Sequence, residues 1–141
     1  MNCPECGALD FGCEARFNEF LALEFSDTGY AAVHHLTVAT YMLQHSSKLT
    51  KKGWMHMREL LREFLMENKN PAFIRSRSSD FINSSKRKFK ITSKNGMPVI
   101  NKTAWQKTIL DVHADDAGIY CKDVTTWAGI VLKDTEDLSV S

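Results

Sequence analysis

Three cysteines within the first thirteen residues, MNCPECGALDFGC, constrain this chain more than any other feature. Cys3 and Cys6 stand across a tight turn in CPECG, and Gly7 supplies the backbone freedom that such a turn often requires. Cys13 returns after a short loop containing Gly12. Thiolates at this spacing can share one tetrahedral ion, so an N-terminal zinc knuckle is expected, with zinc as the cofactor. A redox pair is the alternative reading of the same residues. The ferredoxin spacing and four-thiolate set of an iron–sulfur centre are absent.

The fourth ligand has to come from elsewhere, and the candidates are His34, His35, His45, His56, His113 and Cys121. His34 and His45 lie eleven residues apart on one expected helix, which puts their backbones roughly 16 Å apart at 1.5 Å per residue. They therefore cannot both join the cysteines while that helix is continuous. His34 is the favoured ligand, on the expectation that the knuckle packs against the connection between the first two helices. The expected metal set is Cys3, Cys6, Cys13 and His34, with the other candidates left open. Cys121 reads better as a core thiol. Three thiolates closed by a histidine leave no open position, so the metal's expected role is structural.

The 141 residues suffice for one domain with a hydrophobic core. Eighteen Lys and Arg against seventeen Asp and Glu give a net charge of +1, a balance that does not favour nucleic acid or anionic membrane. No apolar run has the length of a membrane span and no leader precedes the first cysteine, so a cytoplasmic protein is expected. Close-set cysteines in that reducing compartment read as metal ligands before disulfides.

Helical periodicity covers most of the chain, and the expected fold class is mainly α: a small helical bundle carrying the knuckle. A first helix spans 14–25, with Phe17, Phe20, Leu21 and Phe25 near one face. A second runs through SDTGYAAVHHLTVATYMLQH, capped by Ser26 or Asp27. A third, KKGWMHMRELLREFLME, carries a stripe of Trp54, Met57, Leu61, Phe64 and Leu65. Asn70-Pro71 opens a short helix over 70–83. Residues 86–101 then read as a short β-hairpin turning at Asn95-Gly96, or as an ordered loop, since Pro98 weakens the second strand. The last helix, 114–133, aligns Tyr120, Val124, Trp127 and Val131. The single domain thus divides into a knuckle (1–13), core helices (14–67), the short helix, the hairpin or loop, and the C-terminal helix.

CPECG, Cys13, VHHLTVATYMLQH and YCKDVTTWAGIVL together resemble a small, mainly bacterial family of uncharacterised proteins. Its pattern is a CPxCG start, a central HxLTVxxYxxQHP motif and a C-terminal WAxxV segment. The pattern maps onto Cys3, Cys6, Cys13, His34, Thr37, Tyr41, Gln44, His45 and Trp127, and a histidine near His56 is also familiar. Ser46 stands here where the pattern has proline. The resemblance implies no established activity.

Two other chemistries are weighed beside a structural metal protein. His34, His45 and His56, with Asp111, His113, Asp115 and Asp116, could build a metal-dependent hydrolase site inside a bundle. The bland alternative is that these histidines serve helix ends and ordinary hydrogen bonds, which is the expectation for His45 and His56. Lys86, Arg87, Lys88 and Lys90 around Phe89, with Arg75 and Arg77 upstream, could touch phosphates while the ring stacks on a base. A solvated, lysine-protected edge explains the same residues and is preferred. The candidate partners are another protein or a second copy of the chain, with nucleic acid disfavoured and no membrane expected.

Overall fold

Among the described residues, four helices of useful length follow from the periodic segments, joined by turns whose chemistry is local. The computed structural model of the protein describes residues 2–66, 98–100 and 104–136. After a 3-10 turn at Leu9–Phe11, α1 spans Gly12–Ser26, α2 Thr28–Ala31, α3 His34–Gln44, α4 Lys51–Met66 and α5 Ala117–Asp134. Further 3-10 turns at Ser46–Lys48 and Ile109–Asp111 precede α4 and α5. The short helix expected over 70–83, most of the expected hairpin and the basic run 86–90 lie outside the described residues. Among the described residues there is no β-strand, and no helix is long and apolar enough to cross a membrane.

The expected second helix is two. Asp27 caps α2 by accepting the Gly29 N–H at 2.8 Å, and the helix stops after Ala31. The chain turns at Val33, whose carbonyl accepts the N–H groups of Leu36 and Thr37 to start α3. A glycine in the first segment and a β-branched residue at the break both weaken helix propensity there. Gly29 is also a point of close approach, since a β-carbon there would sit 3.0 Å from the Ala117 methyl on α5. The C-terminal helix starts at Ala117, because the Asp116 carboxylate accepts the Ile119 N–H and fixes the first turn.

The core forms where α3, α4 and α5 pack. Leu43, Leu61, Val124, Trp127 and Val131 are buried there with Trp54 and Leu60. The two indoles bring large apolar area and each finds an acceptor: Trp54 Nε1 donates to the Leu43 carbonyl at 3.1 Å, Trp127 Nε1 to Gln44 Oε1 at 3.1 Å. Gln44 completes its pairing by donating Nε2 to the Lys107 carbonyl at 2.7 Å. Arg58 on α4 reaches the end of α5, giving Nη2 to the Leu132 carbonyl at 2.9 Å and Nε to Thr135 Oγ1 at 2.8 Å. A cation meeting free carbonyls at a helix C-terminus is favourable on both hydrogen-bond and dipole grounds.

On α1, burial departs from the expected face at two adjacent positions. Phe20 is buried, but Phe25 is 80% exposed, while Glu24 is only 3% exposed. Glu24 falls four residues after Phe20 and seven after Phe17, so helix geometry carries it onto the core stripe. A carboxylate there needs donors. It has three: His34 Nδ1 reaches Oε1 at 2.6 Å, Thr37 Oγ1 reaches Oε2 at 2.6 Å, and the Tyr120 hydroxyl also donates to Oε2. Glu24 thereby links α1, α3 and α5.

Two outcomes test these contacts. Gln44→Leu keeps the volume but leaves the Trp127 N–H and the Lys107 carbonyl unpaired, for an expected loss of about 2–4 kcal/mol in urea unfolding. An unchanged stability would show that neither bond matters. The hydrogen bond to Glu24 outweighs partial burial and raises the His34 pKa. A raised folded-state value means the associated stability is complete below about pH 6.5 and lost as pH climbs through the higher folded value. The stability difference between the parent chain and His34→Gln should therefore shrink from mildly acid to alkaline pH. A difference that grows with pH would contradict the pairing.

Candidate metal centre

The CPECG turn closes through its own backbone. The Gly7 N–H donates to the Cys3 carbonyl and the Cys3 N–H to the Ala8 carbonyl, both at 2.9 Å. Gly7 has φ 80°, in the left-handed region where a side chain would be strained. Asp10, at φ 52°, makes a second such step, tolerable for aspartate, and the chain enters α1 with Cys13 in its first turn. Cys3, Cys6 and Cys13 are all buried.

The fourth corner is His45. Ligand atoms of Cys3, Cys6, Cys13 and His45 all lie within 4.8 Å of one another, the one such group among the described residues. The expectation of His34 at this position is corrected by the fold: His34 starts α3 and turns to Glu24, whereas His45 follows the last residue of the same helix and meets the knuckle. The helix end also prepares the ring. With no residue left to continue the helix, the Tyr41 carbonyl is free to accept His45 Nδ1–H at 2.7 Å. That bond puts the proton on Nδ1 and leaves the Nε2 lone pair for the thiols. Nε2 is buried and has no hydrogen-bond partner, so the expectation that ordinary hydrogen bonds satisfy His45 fails at this atom. An orphaned acceptor aimed among three thiols fits a metal ion and fits little else.

Surrounding contacts hold the imidazole and the turn in register. The Tyr41 ring stacks on His45 with centroids 4.1 Å apart, and Phe17 stacks on the opposite side of Tyr41 at 3.9 Å. Glu5, between the first two cysteines, accepts the Ser47 N–H at 2.8 Å and the Ser47 hydroxyl at 2.7 Å. Its carbonyl accepts Trp105 Nε1–H at 2.9 Å. The knuckle is thus tied to the turn after α3 and to the segment before α5. Ser46 serves that turn too: its Oγ accepts the N–H groups of Val99 and Ile100 at 3.0 and 3.3 Å, a role proline could not fill.

The electrostatics of the cluster call for a cation. Burial pushes the Cys6 and Cys13 thiols above the ordinary thiol range, and the neighbouring sulfurs add repulsion. Burial works in the same direction at Cys3, but N–H groups of Cys6 and Glu5 and the adjacent thiols outweigh it and hold that thiol lower. Three thiolates this close together repel one another unless a metal supplies positive charge. Burial lowers the His45 pKa and keeps the imidazole neutral, the form that binds metal.

The remaining candidates lie apart from this group. His35 packs edge-on to Phe64, and burial takes its pKa down to about 4. His113 Nδ1 pairs with Asp123 at 2.7 Å near the surface. Cys121, half-buried on α5, donates its thiol to the Gly29 carbonyl at 3.2 Å. Asp111 completes a capping box with Thr108, and Asp116 caps α5. His56, on α4, is not in the cluster. Of the residues that matter here, sequence reasoning missed Glu5, Trp105 and Glu24. Only Glu24 left a signal, its place on the apolar stripe of α1.

No curated protein and no solved structure matches the chain. A family model covers almost all of it, from residue 1 to residue 136. The chain belongs to that family, DUF5946, a family of unknown function.

Proposed function

We propose that this is a zinc protein in which Cys3, Cys6, Cys13 and His45 hold one structural ion. The observation that carries the reading is the pairing of three buried thiols with a buried His45 Nε2 that has no other partner. All four corners come from the chain, which suits a closed site; a catalytic zinc keeps a position for water. The ion would join the first turn to the end of α3 and would neutralise the thiolates that burial otherwise disfavours. Thiolate ligation of this kind suits a reducing compartment such as the cytoplasm. The hydrolase alternative draws no support from the described residues, because the one group of ligating side chains close enough to share an ion is the cysteine cluster with His45, and it contains neither His34, His56 nor His113.

Mass spectrometry under native conditions, with metal analysis, should find one zinc per chain, and Cys13→Ser should lose it. Chelation should lower the thermal midpoint by about 10 °C or more. A metal-free chain that is fully folded, with three titratable thiols and a midpoint indifferent to zinc, would overturn the assignment.

A further inference from the structure

Adjacent positions at the end of α1 carry opposite anomalies: a buried acid, Glu24, and a large apolar ring, Phe25, that is 80% exposed. The carboxylate cannot swing away, because Oε2 is held by Thr37 and Tyr120 while Oε1 faces His34. His34 is fixed through Nδ1 and leaves a side chain 43% exposed. Its Nε2 has no partner among the described residues. The Phe25 ring lies beside it, centroids 5.7 Å apart. We propose that Glu24 and His34 form a proton-transfer site, separate from the cysteine cluster, for a small ligand. That ligand would present an acidic or anionic oxygen to His34 Nε2 and rest its apolar part on Phe25.

A carboxylate behind an imidazole fixes the tautomer and makes the outer nitrogen a better base, the arrangement enzymes use for proton transfer. Burial separates this pair from His113–Asp123, which has similar geometry at 2.7 Å but a histidine side chain 70% exposed. Water screens such a surface pair, whereas the enclosed Glu24 acts on His34 at low local dielectric. The neighbouring groups do not compete. On α3, His35 has its pKa at about 4 and is neutral near pH 7. On α5, burial raises the pKa values of Tyr120 and Cys121, which keeps both protonated. His34 would then present Nε2–H to an anionic oxygen when protonated and a lone pair to an acidic proton when neutral.

Diethyl pyrocarbonate is the probe of the base, applied to the zinc-loaded protein with modification followed residue by residue. The Nε2 lone pair forms a bond to a carbonyl carbon of the reagent, an ethyl carbonate ion leaves with the electron pair of the broken C–O bond, and the Nδ1 proton passes toward Glu24. His34 should react faster than His113 at alkaline pH, with a midpoint above about 6.5. Glu24→Gln should slow it and bring that midpoint down by about one pH unit or more. Should that variant not fold, Thr37→Val carries the test: Glu24 loses a donor, holds the His34 proton more strongly, and the midpoint should rise. Millimolar benzoate is the probe of the ligand position. Below the His34 midpoint it should shift the His34 and Phe25 NMR signals in the parent chain, and His34→Gln should abolish the Phe25 shift. A His34 rate no greater than that of His113, a midpoint indifferent to the Glu24 or Thr37 substitution, or signals unmoved by benzoate would each overturn the proposal.

Discussion

Three thiols and one imidazole nitrogen crowd into a single buried point, and much of the chain is arranged to bring them there. Apart from Ala8, the buried side chains described in the N-terminal turn are its cysteines, so its position depends on what they meet. They meet the end of α3, where His45 is held by the Tyr41 carbonyl through one nitrogen and offers the other. Glu5 and Trp105 make the attachment two-sided, joining the turn to Ser47 and to the segment leading into α5. Thiols made reluctant to ionise by burial, and repelled by one another, become compatible with this packing once a cation joins them.

One eleven-residue helix serves two separate polar clusters. At the start of α3, His34 and Thr37 both donate to Glu24; at its end, His45 faces the cysteines. The break at Val33 matters here, because α3 begins afresh after it with His34 set against Glu24 of α1. Between the two ends, the helix packs through Leu36, Ala39, Thr40 and Leu43, so both clusters stand on the same rigid element. Gln44, next to the histidine that faces the cysteines, is bonded to Trp127 and to the Lys107 carbonyl, which fixes the helix end against α5.

The cysteine half of the site was legible because the constraint is local: two thiols across a glycine-containing turn and a third one short loop away. The histidine was not. His34 and His45 are chemically equal in sequence, and the choice between them depends on which end of α3 the turn reaches, a matter of tertiary packing. One local signal did distinguish them, since a histidine just beyond a helix finds a free carbonyl to fix its ring. Periodicity identified α1, α4 and α5 because long apolar stripes leave little ambiguity. It fails at the end of α1, where residue type points Phe25 inward although Glu24 lies on the stripe by angle. It also missed the break between α2 and α3, which rests on the Asp27 cap and the turn at Val33.

X-ray absorption at the metal edge of the purified protein measures the donor set most directly. Three sulfur neighbours at about 2.3 Å and one nitrogen at about 2.0–2.1 Å are expected. The nitrogen contribution should disappear in His45→Ala and persist in His34→Gln. A shell of sulfur with water-derived oxygen in the parent protein, or a nitrogen lost with His34 and retained without His45, would contradict that donor set.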